Sequence, residues 1–126
     1  MSLDIYLHTD DGQSIDTDVN LTHNLGAMAK AAGVYEALWR PYLLTNPPTF
    51  ANYDEEREYE EATTVRAIDI IPHLTEGLLN LLSNSSEFSK LNPSNGWGSY
   101  EVLVQQLCKY IAVCHEHPTL IVKPCR

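Results

Sequence analysis

The sequence predicts an α+β domain, a small antiparallel sheet packed against several helices in the order ββα(α)ααβ. Leu3, Ile5 and Leu7 alternate with Asp4, Tyr6 and His8, the period of a half-buried strand. A second alternating run, Ser14 to Val19, follows the turn signal Asp10-Asp11-Gly12, so a β-hairpin opens the chain. Near the other end, Leu120-Ile121-Val122 is a β-branched run suited to a last strand that joins this hairpin. Because β-α-β alternation does not recur between them, an open parallel sheet is not expected.

The intervening elements follow in order. Asn20 is expected to cap a helix in which Leu21, Leu25, Met28 and Ala32 repeat at helical spacing, closed by Gly33. Val34 to Arg40 reads as a second short helix stopped by Pro41, and Asn46-Pro47-Pro48-Thr49 as a rigid loop. The helical period resumes weakly from about Asp54. Ile68, Ile71, Leu74, Leu78 and Leu81 then form a stripe that Pro72 must kink or restart, ended by Ser83-Asn84-Ser85-Ser86. The loop Asn92 to Gly98 leads into a helix from about Ser99 with Leu103, Leu107, Ile111 and Cys114 on one side, and Pro118 ends it.

At 126 residues, positions 1–126 suit a single domain with one core, carrying an acidic insertion or loop at about 45–64. Seventeen acidic against eight basic residues give a formal charge of -9, which repels polyanions and argues against direct nucleic-acid binding. No apolar run approaches the ~20 residues of a membrane span. Met1-Ser2-Leu3-Asp4-Ile5 lacks the features of a secretory signal, so a cytoplasmic protein is expected. Cys108, Cys114 and Cys125 are an odd number without framework spacing and read as reduced thiols. The run Asp54, Glu55, Glu56, Glu58, Glu60 and Glu61 reads either as a solvated helix face or loop, or as a docking surface for a basic partner.

Two segments carry recognition chemistry. Thr22-His23-Asn24 with Tyr35, Trp39 and Arg40 combines a helix start, aromatic faces for stacking and a guanidinium that can clamp an anion. The bland alternative is that His23 and Asn24 finish a cap while Trp39 fills the core. In Asn92 to Tyr100, two glycines flank Trp97 just before a helix, a pattern that brings backbone N–H groups close to a ligand. Here the alternative is a turn whose tryptophan plugs the core. Cys108, Cys114, His115 and His117 have poor spacing for zinc, and no metal or cofactor is expected. His8 and His73 stand alone, and enzyme signatures are absent. His23 remains a candidate general base, oriented by Asp16 or Asp18.

Asn20-Leu21-Thr22-His23-Asn24-Leu25, Ala32-Gly33-Val34-Tyr35, Leu38-Trp39-Arg40-Pro41 and Asn92 to Tyr100, with the helix through Cys114, cover roughly half the chain. They resemble a recurrent family of short uncharacterised bacteriophage proteins. Relative to that pattern, Thr45 to Thr64 looks like an insertion. The resemblance implies an origin rather than a reaction: a small counter-defence protein of the host bacterial cytoplasm, which sequesters a small nucleotide-like or anionic signal or occludes a host protein. For sequestration, Trp39 and Trp97 would stack beside Tyr35, Arg40 and Arg126 would meet charge, and His23, Asn24 and Asn95 would supply hydrogen bonds. Tight binding by so small a domain favours a homo-oligomer. The alternatives are an acidic inhibitor of a host defence protein acting through Glu55 to Glu61, and a small hydrolase centred on His23.

Overall fold

The computed structural model describes residues 2–126, and Met1 lies outside them. Its sheet contains β1 (Ser2–His8), β2 (Ser14–Thr22) and β3 (Ile121–Cys125) in the order β2-β1-β3, antiparallel throughout. Alternation dictates this arrangement: Leu3, Ile5 and Leu7 are fully buried on one face, opposite Leu21, Val19 and Ile15. Between Tyr6↔Asp16 and Ile5↔Val19 the register slips, so Thr17 and Asp18 bulge out of β2. Asp18 takes the left-handed conformation at φ 60°. The buried Thr17 hydroxyl holds the bulge by donating to the Ile5 carbonyl at 2.6 Å and accepting from the Val19 N–H at 3.1 Å.

Six α-helices are distributed between the hairpin and β3: α1 (Gly26–Ala31), α2 (Tyr35–Trp39), α3 (Tyr53–Ala62), α4 (Ala67–Ser83), α5 (Ser85–Ser89) and α6 (Tyr100–Glu116). Short 3-10 turns cover His23–Leu25 and Pro41–Thr45. The two long helices, α4 and α6, pack on each other, and α6 runs along β2. Two of its side chains satisfy the free edge of that strand, Gln106 accepting from the Asn20 N–H at 2.9 Å and Lys109 donating to the Asp18 carbonyl at 3.1 Å. On the opposite edge Val65 accepts from the Val122 N–H at 2.9 Å. Arg66 ties the hairpin turn to this edge, donating to Asp10 at 2.8 Å and to the Thr119 carbonyl at 2.7 Å.

Several sequence expectations shift. Asn20 is not a helix cap: β2 continues through it to Thr22, whose hydroxyl accepts from the Asn24 N–H at 3.3 Å and is the actual cap. Leu21 is accordingly a strand residue, and its alternation with Val19 outweighed its helical spacing to Leu25. The acidic stretch is a helix, α3, that buries none of its residues. On α4 the buried stripe is Ala67, Ile70, Leu74, Gly77 and Leu81, with Ile68 exposed and Ile71 and Leu78 only partly covered. The helix runs through Pro72 without a break. α4 ends at Ser83 as expected, but Asn84 alone separates it from α5, which takes in Ser85 and Ser86. On α6, Tyr110 takes the buried position expected of Ile111.

No helix among the described residues is long and apolar enough to cross a membrane.

Candidate functional site

The bend from β2 into α1 and the loop before α6 meet. Gly98, at φ 95°, lies so close to the bend that a Cβ there would stand 2.7 Å from the Thr22 Cγ2 and 3.0 Å from the Leu25 Cγ. Only glycine tolerates both that backbone conformation and that approach. The loop is otherwise shaped by asparagines. Asn95 accepts from the Trp97 N–H at 2.9 Å, and Asn92 accepts from the Tyr100 N–H at 2.8 Å. Ser99 caps α6 by accepting from the Val102 N–H at 3.3 Å.

A cleft of about 500 Å³ opens beside this junction, lined by Ser2, Asn20, Thr22, Asn24, Asn95 and Trp97. The Trp97 side chain is 69% exposed, against 3% for Trp39. The amides are only partly spoken for. Asn20 donates to Asp4 at 2.7 Å and Asn24 donates to the Thr22 hydroxyl at 3.1 Å. Among the described residues, the carbonyl oxygens of these two amides and the NH₂ group of Asn95 have no intramolecular partner. Two acceptors, a donor and an open indole face therefore share one cleft, a set that can read the edge of a planar polar ring while stacking on its face.

The eight residues singled out in the sequence divide into three groups. Asn24, Asn95 and Trp97 line the cleft. Of the others, His23, Tyr35 and Trp39 form a packed layer: Tyr35 stacks on Trp39 with ring centroids 5.0 Å apart and planes 12° from parallel, and His23 meets Trp39 edge-on at 6.1 Å. Lys30 sits over the Tyr35 ring at 4.7 Å from its centroid. His23 Nε2 is buried with no hydrogen-bond partner among the described residues. Trp39 is a core residue, so its ring is committed to Tyr35 and His23.

Both arginines are engaged by other groups of the protein. Arg40 donates to the Tyr42 hydroxyl at 3.0 Å, which in turn donates to Glu56 at 3.1 Å. That bond to Tyr42 holds the guanidinium above its ordinary pKa, while burial raises that of the phenol. Arg126 grips Glu60 through two bonds of 2.7 and 2.8 Å and also donates to the Trp39 carbonyl at 2.9 Å. The Glu60 bonds raise its pKa further. Neither arginine lines the Trp97 cleft.

Asp16 and Asp18 do not orient His23. They lie earlier on β2, where an extended strand advances about 3.3 Å per residue, and the Asp16 carboxylate accepts from the Asp18 N–H at 2.9 Å. Cys114 is buried in the core while Cys108 and Cys125 are exposed, and among the described residues no three His, Cys, Asp or Glu side chains group to hold a metal. Ser2 and Asn20 are cleft residues that sequence reasoning passed over, and Thr22, already part of the first recognition segment, lines the cleft with them. The available signal was the alternation of β2: carried three residues past Val19, its expected end, it places Asn20 and Thr22 on the face opposite the buried Val19 and Leu21.

No protein-family model matches the chain, and neither a curated protein nor a solved structure matches it.

Proposed function

We propose that the protein is a non-enzymatic binding domain that sequesters a small nucleotide-like molecule in the cleft between Trp97 and the Thr22–Asn24 bend. The observation that carries this reading is the combination of an exposed indole with unpartnered amide groups in one cleft of about 500 Å³, within the range of small-molecule sites. A planar base stacks on Trp97, and the amides of Asn20, Asn24 and Asn95 bond to its edge. Stacking of this kind is worth roughly 1–3 kcal/mol per base. The lining is uncharged, so the ring portion rather than a phosphate dominates affinity, which also suits a chain of net charge -9. The motif resemblance to short phage proteins supports a counter-defence role in the host cytoplasm, in which tight retention without turnover removes a signal.

Native mass spectrometry of untagged protein purified from cells tests the reading. Retained mass in the nucleotide range that disappears in Trp97→Ala is expected. A bare protein that also takes up no added nucleoside or nucleotide contradicts it.

A second reading has its own support. Helix α3 presents Asp54, Glu55, Glu58 and Glu61 to solvent and buries nothing, as an acidic surface docking on a basic host protein would. Host pull-downs in which binding is weakened by salt and by neutralising these four residues would favour it.

A further inference from the structure

Helix α4 uses one side for the core and leaves a second apolar side uncovered. The core side is Ile70, Leu74, Gly77 and Leu81. Adjacent to it around the helix, Ile68, Leu79 and Leu82 are 58%, 59% and 54% exposed, with Ile71 and Leu78 only partly covered. Three of the six large hydrophobic side chains exposed on the described surface thus belong to this one helix. Ile68, Ile71, Thr75, Leu78 and Leu82 follow spacings of three and four, the period with which one helix meets another along a shared seam.

The same side carries no charge. The ionisable residues of α4 are Asp69, His73 and Glu76; at about 100° per residue all three lie on the far side from the centre of the seam, Glu76 coming nearest, beside Leu79 at the margin. For a chain of net charge -9, most surfaces repel a second copy, and a charge-free apolar face is where two copies can approach without opposing like charges. The face is also the opposite of what a basic host protein would select. Exposed apolar side chains gathered on one face, rather than scattered singly, mark interaction surfaces.

We propose that this face of α4 is a self-association surface, at which a second copy of the chain packs its own α4 about a two-fold axis and buries Ile68 and Leu82, with Leu79 at the margin of the contact. A two-fold contact brings the same seam from both copies, so one helix supplies both halves. The surface is independent of the Trp97 cleft: its residues do not line it, and its failure leaves the binding proposal standing.

Sedimentation velocity of the full chain across the micromolar range, compared with a Leu79→Glu/Leu82→Glu variant, tests the proposal. Both positions are more than half exposed, so the fold survives the change, and unchanged far-UV circular dichroism checks this. A dimer, or a larger assembly containing it, that falls apart at least tenfold more readily in the variant is expected. As a check on the unmodified chain, amide exchange in α4 should slow as protein concentration rises. A wild-type chain that stays monomeric, or an oligomer untouched by the two substitutions, overturns the proposal.

Discussion

Gly98 and Thr22 stand close enough that a methyl group on the glycine would fall 2.7 Å from the threonine Cγ2. This contact joins the two halves of the cleft, the bend after β2 and the Trp97 loop, across 76 positions of sequence. Gly98→Ala is therefore expected to cost about 1–3 kcal/mol, from a positive φ denied to alanine and from the clash. It should also displace Trp97. Denaturant unfolding and near-UV circular dichroism check both.

Tyr110 lies wholly inside the core with its hydroxyl unpartnered among the described residues. A buried polar group without a hydrogen bond costs about 1–3 kcal/mol. Tyr110→Phe removes that group and keeps the ring, so urea unfolding should find the variant at least as stable as the parent, by up to roughly 2 kcal/mol. A loss of more than about 1 kcal/mol would mean that the hydroxyl is satisfied in solution.

Burial pushes the Cys114 thiol up to about 12 from its ordinary 9.0, and raises the Tyr110 phenol well above 10.0. Both groups hold their protons more tightly in the folded chain than in the unfolded one. Their contribution is fully present below the unfolded values and is lost as pH rises toward the folded ones. Stability should fall from about pH 9 upward, with a slope approaching 1.4 kcal/mol per pH unit for each group in its window. At neutral pH an alkylating reagent should modify the exposed Cys108 and Cys125 and reach Cys114 only on unfolding.

Helix α3 has no buried residue and is held by polar contacts, Glu60 with Arg126, Glu56 with Tyr42 and Tyr59 with the Thr45 hydroxyl at 2.6 Å, together with the Tyr59 ring against Phe50 and Tyr42. Glu60→Gln should loosen this helix while leaving the core intact, costing about 1–2 kcal/mol locally. Amide exchange should speed up across α3 and at Arg126, with the central strand β1 unchanged.

The strands were legible because alternation acts locally: Leu3, Ile5 and Leu7 need only a sheet face to bury them. The end of β2 was not, because Asn20 is a good cap in isolation and only Gln106 on a distant helix reveals that its N–H belongs to a sheet edge. On α4 both apolar sides look alike in sequence, and the close approach of Val34 to Gly77, where a Cβ would stand 2.5 Å from the valine Cβ, decides which side turns inward. The candidate site divided for a related reason. Trp39 and Trp97 are equally aromatic, but one is stacked inside against Tyr35 and the other stands in the open. Pairing of Arg126 with Glu60 spans 66 positions and is a purely tertiary fact.

Binding at the Trp97 cleft is measured most directly by titrating intrinsic fluorescence with a panel of nucleosides and nucleoside phosphates. Trp39, which is buried and therefore expected to emit further to the blue, serves as the internal reference. The expected result is saturable quenching of the red-shifted Trp97 emission by at least one base, nearly equal for the nucleoside and its phosphate, and loss of binding by calorimetry in Trp97→Ala. Absence of saturable quenching across the panel, or affinity unchanged in Trp97→Ala, would contradict it.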